Sequence, residues 1–412
     1  MKSLFRFICK LVPGLVFIFS GFVKAIDPVG GAVKFEDYFT AFNMDWLNPV
    51  ALPLAITLAA FEFLIGFHIL FNLYMRKIAP IALAMMTLFT LLTLYISIFN
   101  PVSDCGCFGD AIKLTNWQTF GKNIVIIIFT YLVFHFRDEY KNNYSTFRKS
   151  IVSLIVTIYI IGFGIYNYNN LPMIDFRPYK IGANIPDQMK VPEGAEMTLY
   201  ETLFILEKDG QQKTFTVENY PYDDTTWVFI DSETKVIKEG YVPPMQSFAL
   251  MLPGLGDNLV DEIVGKTGAV FFMISPELNK IPESSIITLA ELAQNAKEHG
   301  HEFYCVTASG IKEMNAFNQK NKTLFTFLQS DETVLKTIIR SNPGLMMLYN
   351  GTITAKWHYR NLPDVSIMNR PLAYTINQIN KHQSNILIWL NLFVLILIPT
   401  IIFNRNPLNV KK

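Results

Sequence analysis

The sequence predicts an α-helical membrane bundle joined to a water-soluble segment, in which a small β-rich module precedes an α/β domain. Three observations lead there. Of the 412 residues, 51% are apolar and only 17% are charged, which is too apolar for a soluble chain of this length. Apolar runs at 11–26, 50–74, 78–99, 120–136, 151–166 and 386–403 approach the length a helix needs to cross roughly 30 Å of hydrocarbon, the first and fifth being short. From about 170 to 385, charged residues and prolines return among short apolar strands, as in a domain surrounded by water.

Lys2, Arg6 and Lys10 precede the first run in the manner of a signal peptide. No small-x-small cleavage site follows and Lys24 interrupts its end, so the run is read as a retained helix. Basic residues gather at alternate connections: Lys2, Arg6 and Lys10; Arg76 and Lys77; Arg137, Lys141, Arg148 and Lys149; Arg405, Lys411 and Lys412. The opposite short loops hold only Lys24, Lys34, Lys113 and Lys122. Because basic loops stay cytoplasmic, both termini are expected in the cytoplasm of a multi-pass inner-membrane protein, with the Cys105 loop and the 170–385 segment on the periplasmic side. Trp46, Trp117, Tyr166 and Tyr168 near the span ends read as interface anchors. Lys plus Arg (35) nearly cancels Asp plus Glu (34), which gives no argument for a nucleic-acid partner.

These signals divide the chain into a four-helix domain at 1–140, a fifth span at 150–168, a β-rich module at 177–244, an α/β domain at 245–381 and a sixth span at 386–404. In the β-rich module, strands at 198–208 and 213–218 are joined through Asp209-Gly210, a strong hairpin signal. The α/β order is strand 269–275, helix 284–299, strand 302–307, helix 332–339, strands 344–349 and 352–358, and a last helix 366–381.

Of the four cysteines only Cys105 and Cys107 are close in sequence, in Asp104-Cys105-Gly106-Cys107-Phe108-Gly109-Asp110. The intervening glycine allows the tight turn that a bridge between such neighbours requires. A bridge this short is strained and exchanges readily, which suits a redox-active pair; the alternative is a static bridge or two inert thiols. Within the second span, Glu62 and His68 are ionisable residues that by default face a bundle interior or cavity. Their spacing puts them on different helix faces, so Lys24 at the end of the antiparallel first span is the better partner for Glu62.

The Cys105-Gly106-Cys107-Phe108-Gly109 run with Trp117 and Asn123 resembles the methylamine-utilisation MauE proteins. Phe19-Ser20-Gly21 with Lys24, Asp27-Pro28, Glu62 and Gly66 is similar to the related DoxX group. The resemblance covers residues 1 to about 137 and implies a four-helix membrane bundle in membrane-linked thiol or electron chemistry. It makes Cys105 and Cys107 the expected catalytic pair, a quinone the candidate electron acceptor, and Lys24, Glu62 and Trp117 the candidates to line its site.

Ser341-Asn342-Pro343-Gly344-Leu345, followed by an apolar strand and Asn350-Gly351, resembles the thioredoxin fold over about 245–380, with Pro343 at the cis-proline position. The family's Cys-x-x-Cys is missing, since Pro276-Glu277-Leu278-Asn279 stands in its place, and Cys305 within a strand reads as a buried, inert thiol. Peptide binding around Pro343 is the function that such a domain could retain. His299 and His301 read as a solvated helix end, and no metal-ligand, phosphate-loop or nucleophile-elbow motif is present in the sequence. The expected role is envelope thiol–disulfide exchange or electron transfer that supports maturation of an exported protein client or serves a periplasmic redox partner. The alternative is a non-enzymatic scaffold with a structural cysteine pair.

Overall fold

The computed structural model describes residues 2–404 except 143, 197, 209, 223 and 239. Asp209 of the expected turn, and Arg405, Lys411 and Lys412 of the basic count, lie outside the described residues. The membrane domain begins with α1 (Lys2–Ile26), α2 (Pro28–Ala41), α3 (Ala51–Leu70), α4 (Met75–Phe99), α5 (Asn116–His135) and α6 (Thr146–Asn169). Five of these, all but the short α2, are long and apolar enough to cross a membrane, as is the last helix of the chain. The protein is therefore a multi-pass membrane protein.

Local sequence sets the helix limits. Asp27 caps α2 by accepting from the Gly30 amide, with Pro28 at the first position; Thr115 and Gln118 form a reciprocal capping box on α5; Ser145 caps α6. Asn100 ends α4 in the left-handed conformation that asparagine tolerates. The first and fifth spans are not short: their polar flanks are helical too, so α1 and α6 hold 25 and 24 residues. Antiparallel α1 and α3 touch backbone to backbone at glycines. A Cβ on Gly21 would stand 2.5 Å from the Ala59 carbonyl oxygen, and one on Gly66 would stand 2.5 Å from the Ile18 amide nitrogen. Small residues at such a crossing are how helices associate in lipid, where apolar burial gives little driving force.

After α6 come α7 (Ile185–Met189) and a three-stranded antiparallel sheet, β1 (Leu199–Lys208), β2 (Gln211–Phe215) and β3 (Val228–Lys238), in the order β2-β1-β3. The second strand starts and ends earlier than the expected 213–218. Then follow α8 (Val260–Val264), β4 (Ala269–Ser275), α9 (Glu283–Glu298), β5 (Glu302–Thr307), α10 (Ile311–Asn321), β6 (Phe327–Gln329), α11 (Glu332–Ile338), β7 (Gly344–Tyr349), β8 (Thr352–His358) and α12 (Pro371–Asn404). The second sheet has the order β6-β5-β4-β7-β8, parallel from β6 to β4 and antiparallel from β4 to β8. β4 is buried along its whole length, and apolar layers cover both faces of the sheet, as a parallel centre requires.

The separation of a last domain helix at 366–381 from a sixth span at 386–404 is corrected. Nothing between them is glycine or proline, and α12 runs unbroken from Pro371 to Asn404. Trp389 and Phe393 of α12 pack on Tyr159 of α6, and Phe393 also meets Phe63 of α3. The linker after α6 is pinned to the α/β domain through Asp175. Its carboxylate takes Lys356 Nζ at 2.9 Å and Arg177 Nε at 2.8 Å, while the buried Lys356 also donates to the Ile338 carbonyl at 2.7 Å. Burial lowers the Lys356 ammonium to about 8 against the attraction of Asp175.

Gly21→Ala forces its methyl into the α3 backbone and is expected to destabilise the bundle by about 1–3 kcal/mol. Gly121→Ala, with open space around it, should be neutral or slightly stabilising. Thermal unfolding in detergent compares the two, and equal melting temperatures would refute the backbone contact.

Candidate functional site

The connection between α4 and α5 does not stand out from the bundle. It folds back into its mouth. Ser20 Oγ donates to the Cys107 carbonyl at 2.7 Å, and Phe19 packs edge-on against the buried Phe108 ring. Ser20 lies six residues before the end of α1 and Lys122 six residues into α5, so at 1.5 Å per residue the loop reaches about 9 Å inside the helix ends.

Glycine permits this path. Gly106 and Gly109 both have positive φ, at 65° and 52°. The Gly106 amide donates to Asp104 Oδ1 at 2.9 Å, and Asp104 Oδ2 pairs with Lys34 of α2 at 3.0 Å. Tyr38 of α2 donates its hydroxyl to the Cys105 carbonyl at 3.1 Å. The loop is thus clamped from α1 on one side and α2 on the other.

Cys105 Sγ and Cys107 Sγ are 2.9 Å apart as half-buried free thiols. The hydrogen bond shared by the two sulfurs draws the Cys107 thiol down to about 6 against the cost of burial, with Lys122 and Lys24 assisting and Glu62 opposing. The same hydrogen bond, together with burial, pushes the Cys105 thiol far up. The cations Lys122 and Lys24 beside Cys107 favour it as the thiolate of the pair.

Beneath Cys107 is a cavity of about 30 Å³ lined by Ser20, Lys24, Glu62, Lys122 and Asn123, among others. Lys24 Nζ bonds both carboxylate oxygens of Glu62, at 2.6 and 2.7 Å, and Ser20 Oγ at 3.2 Å. Lys122 Nζ sits 4.2 Å over the Phe108 ring, which places a second cation beside the thiol pair. His68 is elsewhere, bonded to the Leu64 carbonyl and to Ser153. A larger groove of about 520 Å³ on α4, lined by Leu83, Leu88, Leu91 and Phe134, carries no titratable group.

The α/β domain closes over this end of the bundle. Arg340 Nε approaches Asp27 Oδ2 and Oδ1 at 2.9 and 3.2 Å, its Nη2 reaches Asp110 Oδ2 at 3.0 Å, and its Nη1 donates to the Lys336 carbonyl at 2.7 Å. Burial opposes the charge on Arg340, but Asp27 and Asp110 outweigh it and hold the guanidinium above its usual range. Gly30 leaves room for the fork, because a Cβ there would lie 2.8 Å from Arg340 Nη2.

Of the residues singled out from sequence, Cys105, Cys107, Lys24 and Glu62 come together. Trp117 does not, being 60% exposed, with its ring edge-on to Phe120. Pro343 follows a cis peptide bond and is buried, as are Arg340 and Ser341, so the peptide surface expected there is covered. Cys305 is fully buried and its thiol is pushed well up by desolvation. His299 and His301 bond to Asn369 and the Met368 carbonyl. Sequence reasoning missed Asp27 as an anchor, Lys122 and Arg340; a basic residue three places before the expected cis-proline was the available signal for the last.

Residues 2–136 match the family model described as methylamine utilisation protein MauE. This part of the chain is a MauE-like membrane domain. Residues 200–239, the three-stranded sheet, match a domain of unknown function (DUF8463). Protein TlpB of Flavobacterium psychrophilum is 29% identical over 143 residues, which make up 33% of this chain and 35% of that relative. The chain thus spans about a third of the length of the curated relative it matches. No solved structure gives a significant match.

Two outcomes test the MauE-like site. Glu62→Gln leaves Lys24 buried without its counter-charge and should cost about 3–5 kcal/mol, whereas the double change Lys24→Met with Glu62→Leu should cost less than Glu62→Gln alone. Melting temperatures in detergent read both, and a double variant no better than the single would rule out the pair as described. Alkylation of Cys107 by a neutral maleimide should rise about tenfold between pH 5 and pH 7, the change in thiolate fraction for a group near 6; a flat profile up to pH 8 would contradict the assignment.

Proposed function

We propose that this protein carries out thiol–disulfide exchange at Cys105 and Cys107 on the periplasmic face of a bacterial inner membrane, with a dithiol or disulfide of an exported protein as substrate. The observation that carries the reading is the placement of the pair: two free thiols 2.9 Å apart across one glycine, with Lys24 and Lys122 lining the cavity beside Cys107. A structural pair needs no cations beside it, and a nucleophile with its resolving thiol is favoured by them.

In this reading Cys107 thiolate attacks one sulfur of a partner disulfide. That disulfide bond breaks, and its electron pair leaves on the partner's second sulfur, which takes the proton released by Cys105. Cys105 then attacks Cys107 Sγ, displaces the partner's first sulfur as a thiolate and closes the Cys105–Cys107 bond. The partner gains two electrons and the pair loses two. The reverse sequence oxidises a partner dithiol, and a second thiol–disulfide protein resets the pair in either direction.

Lys24 and Lys122 supply positive potential that favours the thiolate, and Ser20 and Tyr38 hold the loop by its carbonyls. The cavity beside Cys107 is small, about 30 Å³, and no step is routed through a quinone. The strand order β6-β5-β4-β7-β8, with cis-Pro343 leading into β7, supports reading residues 245–381 as thioredoxin-like. With Pro276 and Asn279 where cysteines would stand, this domain has a binding role and no exchange chemistry.

Cys105→Ser is expected to trap a mixed disulfide between Cys107 and its protein partner, visible on non-reducing gels and lost on reduction, while Cys107→Ser traps nothing. If neither variant captures a partner, and the thiol state never changes when cells are shifted between reducing and oxidising media, the pair is structural. Labelling of Cys107 in intact cells by an impermeant maleimide is the expected sign of a periplasmic loop; protection there with labelling in inverted vesicles would reverse the orientation.

A further inference from the structure

The proposed function leaves unexplained why a domain without thiols covers the dithiol. The contact is built from complementary charge. On the membrane domain, Asp27 at the head of α2 and Asp110, three residues after Cys107, meet at Arg340, and Glu36 of α2 extends this acidic rim toward the α/β domain, beside the paired Lys34 and Asp104. Facing it are Arg340, forked onto Asp27 and Asp110, and Lys336 and Lys280, which attract Glu36 although Glu332 and Glu277 pair with them and Glu277 repels Glu36.

The part of the α/β domain that makes this contact is also informative. Arg340 stands three residues before Pro343. Asn342, between them, donates to the Glu277 carbonyl at 3.0 Å and accepts from Ser275 Oγ at 2.6 Å, which ties the Pro343 turn to the segment Pro276–Asn279. On the thioredoxin-like reading, that segment is where a functional relative carries its cysteines. The domain therefore addresses the membrane dithiol with its thiol-bearing face, from which the thiols are missing.

We propose that the acidic rim around Cys105 and Cys107 is the docking surface for a thiol-bearing protein of thioredoxin-like fold with a basic residue ahead of its cis-proline. The chain's own α/β domain is a disarmed occupant of that surface, held by Arg340, and the partner displaces it to reach Cys107. This inference rests on the exchange activity proposed above. It specifies the class of partner and the contact that gates its access.

The test uses the full-length protein in nanodiscs, with oxidised thioredoxin as a folded probe and oxidised glutathione as a small one. Arg340→Ala should raise the rate of mixed-disulfide formation between Cys107 and oxidised thioredoxin by about tenfold or more. The pH midpoint of Cys107 alkylation should stay where it is in the parent protein. Arg340→Asp combined with Asp110→Arg should return the rate toward that of the parent. Lys280→Glu, an exposed substitution that faces Glu36 with like charge and leaves the core untouched, should give a smaller increase and keeps the test decisive if Arg340→Ala unfolds. Unchanged or lower rates with thioredoxin in both Arg340→Ala and Lys280→Glu, in protein that still exchanges with glutathione, would overturn the gating and leave the exchange activity standing. Failure of every variant to exchange with either probe, while a maleimide still labels Cys107, would overturn the exchange activity itself and this inference with it.

Discussion

The arrangement depends on one buried ion pair, Lys24 with Glu62. A carboxylate inside a span is tolerated only where a counter-charge and hydrogen bonds replace water. Lys24 reaches both oxygens of Glu62 because glycines let α1 and α3 meet at backbone distance. Once Lys24 is fixed, the rest of that helix end is fixed with it. Ser20, one turn earlier on the same face, holds the Cys107 carbonyl, and Asp27, three residues later, takes Arg340. A single stretch from Ser20 to Asp27 thus sets the ion pair, the dithiol loop and the seat of the α/β domain.

The charge balance within this end of the bundle explains the difference between the two thiols. Lys24 is largely committed to Glu62, so it favours the Cys107 thiolate less than a bare cation would, and Glu62 opposes the thiolate directly. Lys122, held over Phe108, restores positive potential from the opposite wall. The largest effect is still the hydrogen bond shared by the two sulfurs, which forms only because the turn at Gly106 brings them together. Substituting Gly106 would affect the chemistry through geometry, since a Cβ there also meets Lys34, the partner of Asp104.

Much of this was legible in the sequence because it is written in local signals. Apolar length gave six spans, and the cysteine motif and the intramembrane Glu62 pointed to residues that do converge. Strands β4 and β7 were readable as continuous apolar runs, and β5 and β8 as short strands beside turn residues, Gly300 before β5 and Asn350-Gly351 before β8. What escaped depends on partners distant in sequence or on short, polar elements. α10 has too few apolar residues to show an amphipathic stripe, and β6 has three residues. A domain helix at 366–381 and a span at 386–403 read as two elements in the sequence, although nothing in the polar stretch before Ile386 stops a helix. Arg340 and Asp27 are 313 residues apart, and no periodicity or spacing rule relates them.

The two tethers of the α/β domain limit how it can leave its seat. The linker from α6 is locked to it by Asp175, Lys356 and Arg177, and α12 continues from the domain into the membrane without a joint. A domain released at Arg340 would therefore carry α12 and the locked linker with it, and movement would be taken up where α12 meets the bundle. That contact is light. It consists of Trp389 and Phe393 against aromatic rings of α3 and α6, with Ile386, Ile396 and Leu397 packed beside them, while Leu387, Leu390 and Leu395 remain exposed on the helix. Sliding that contact in lipid loses little apolar burial, since lipid replaces the neighbour, and gives up the neutral hydrogen bonds of the Tyr159 hydroxyl to the Trp389 carbonyl and of Tyr144 to the Thr400 carbonyl. The fork of Arg340 on two carboxylates, by contrast, must be rehydrated or re-paired when it opens. The charged contact, more than the sixth helix, therefore determines how firmly the domain stays over the dithiol.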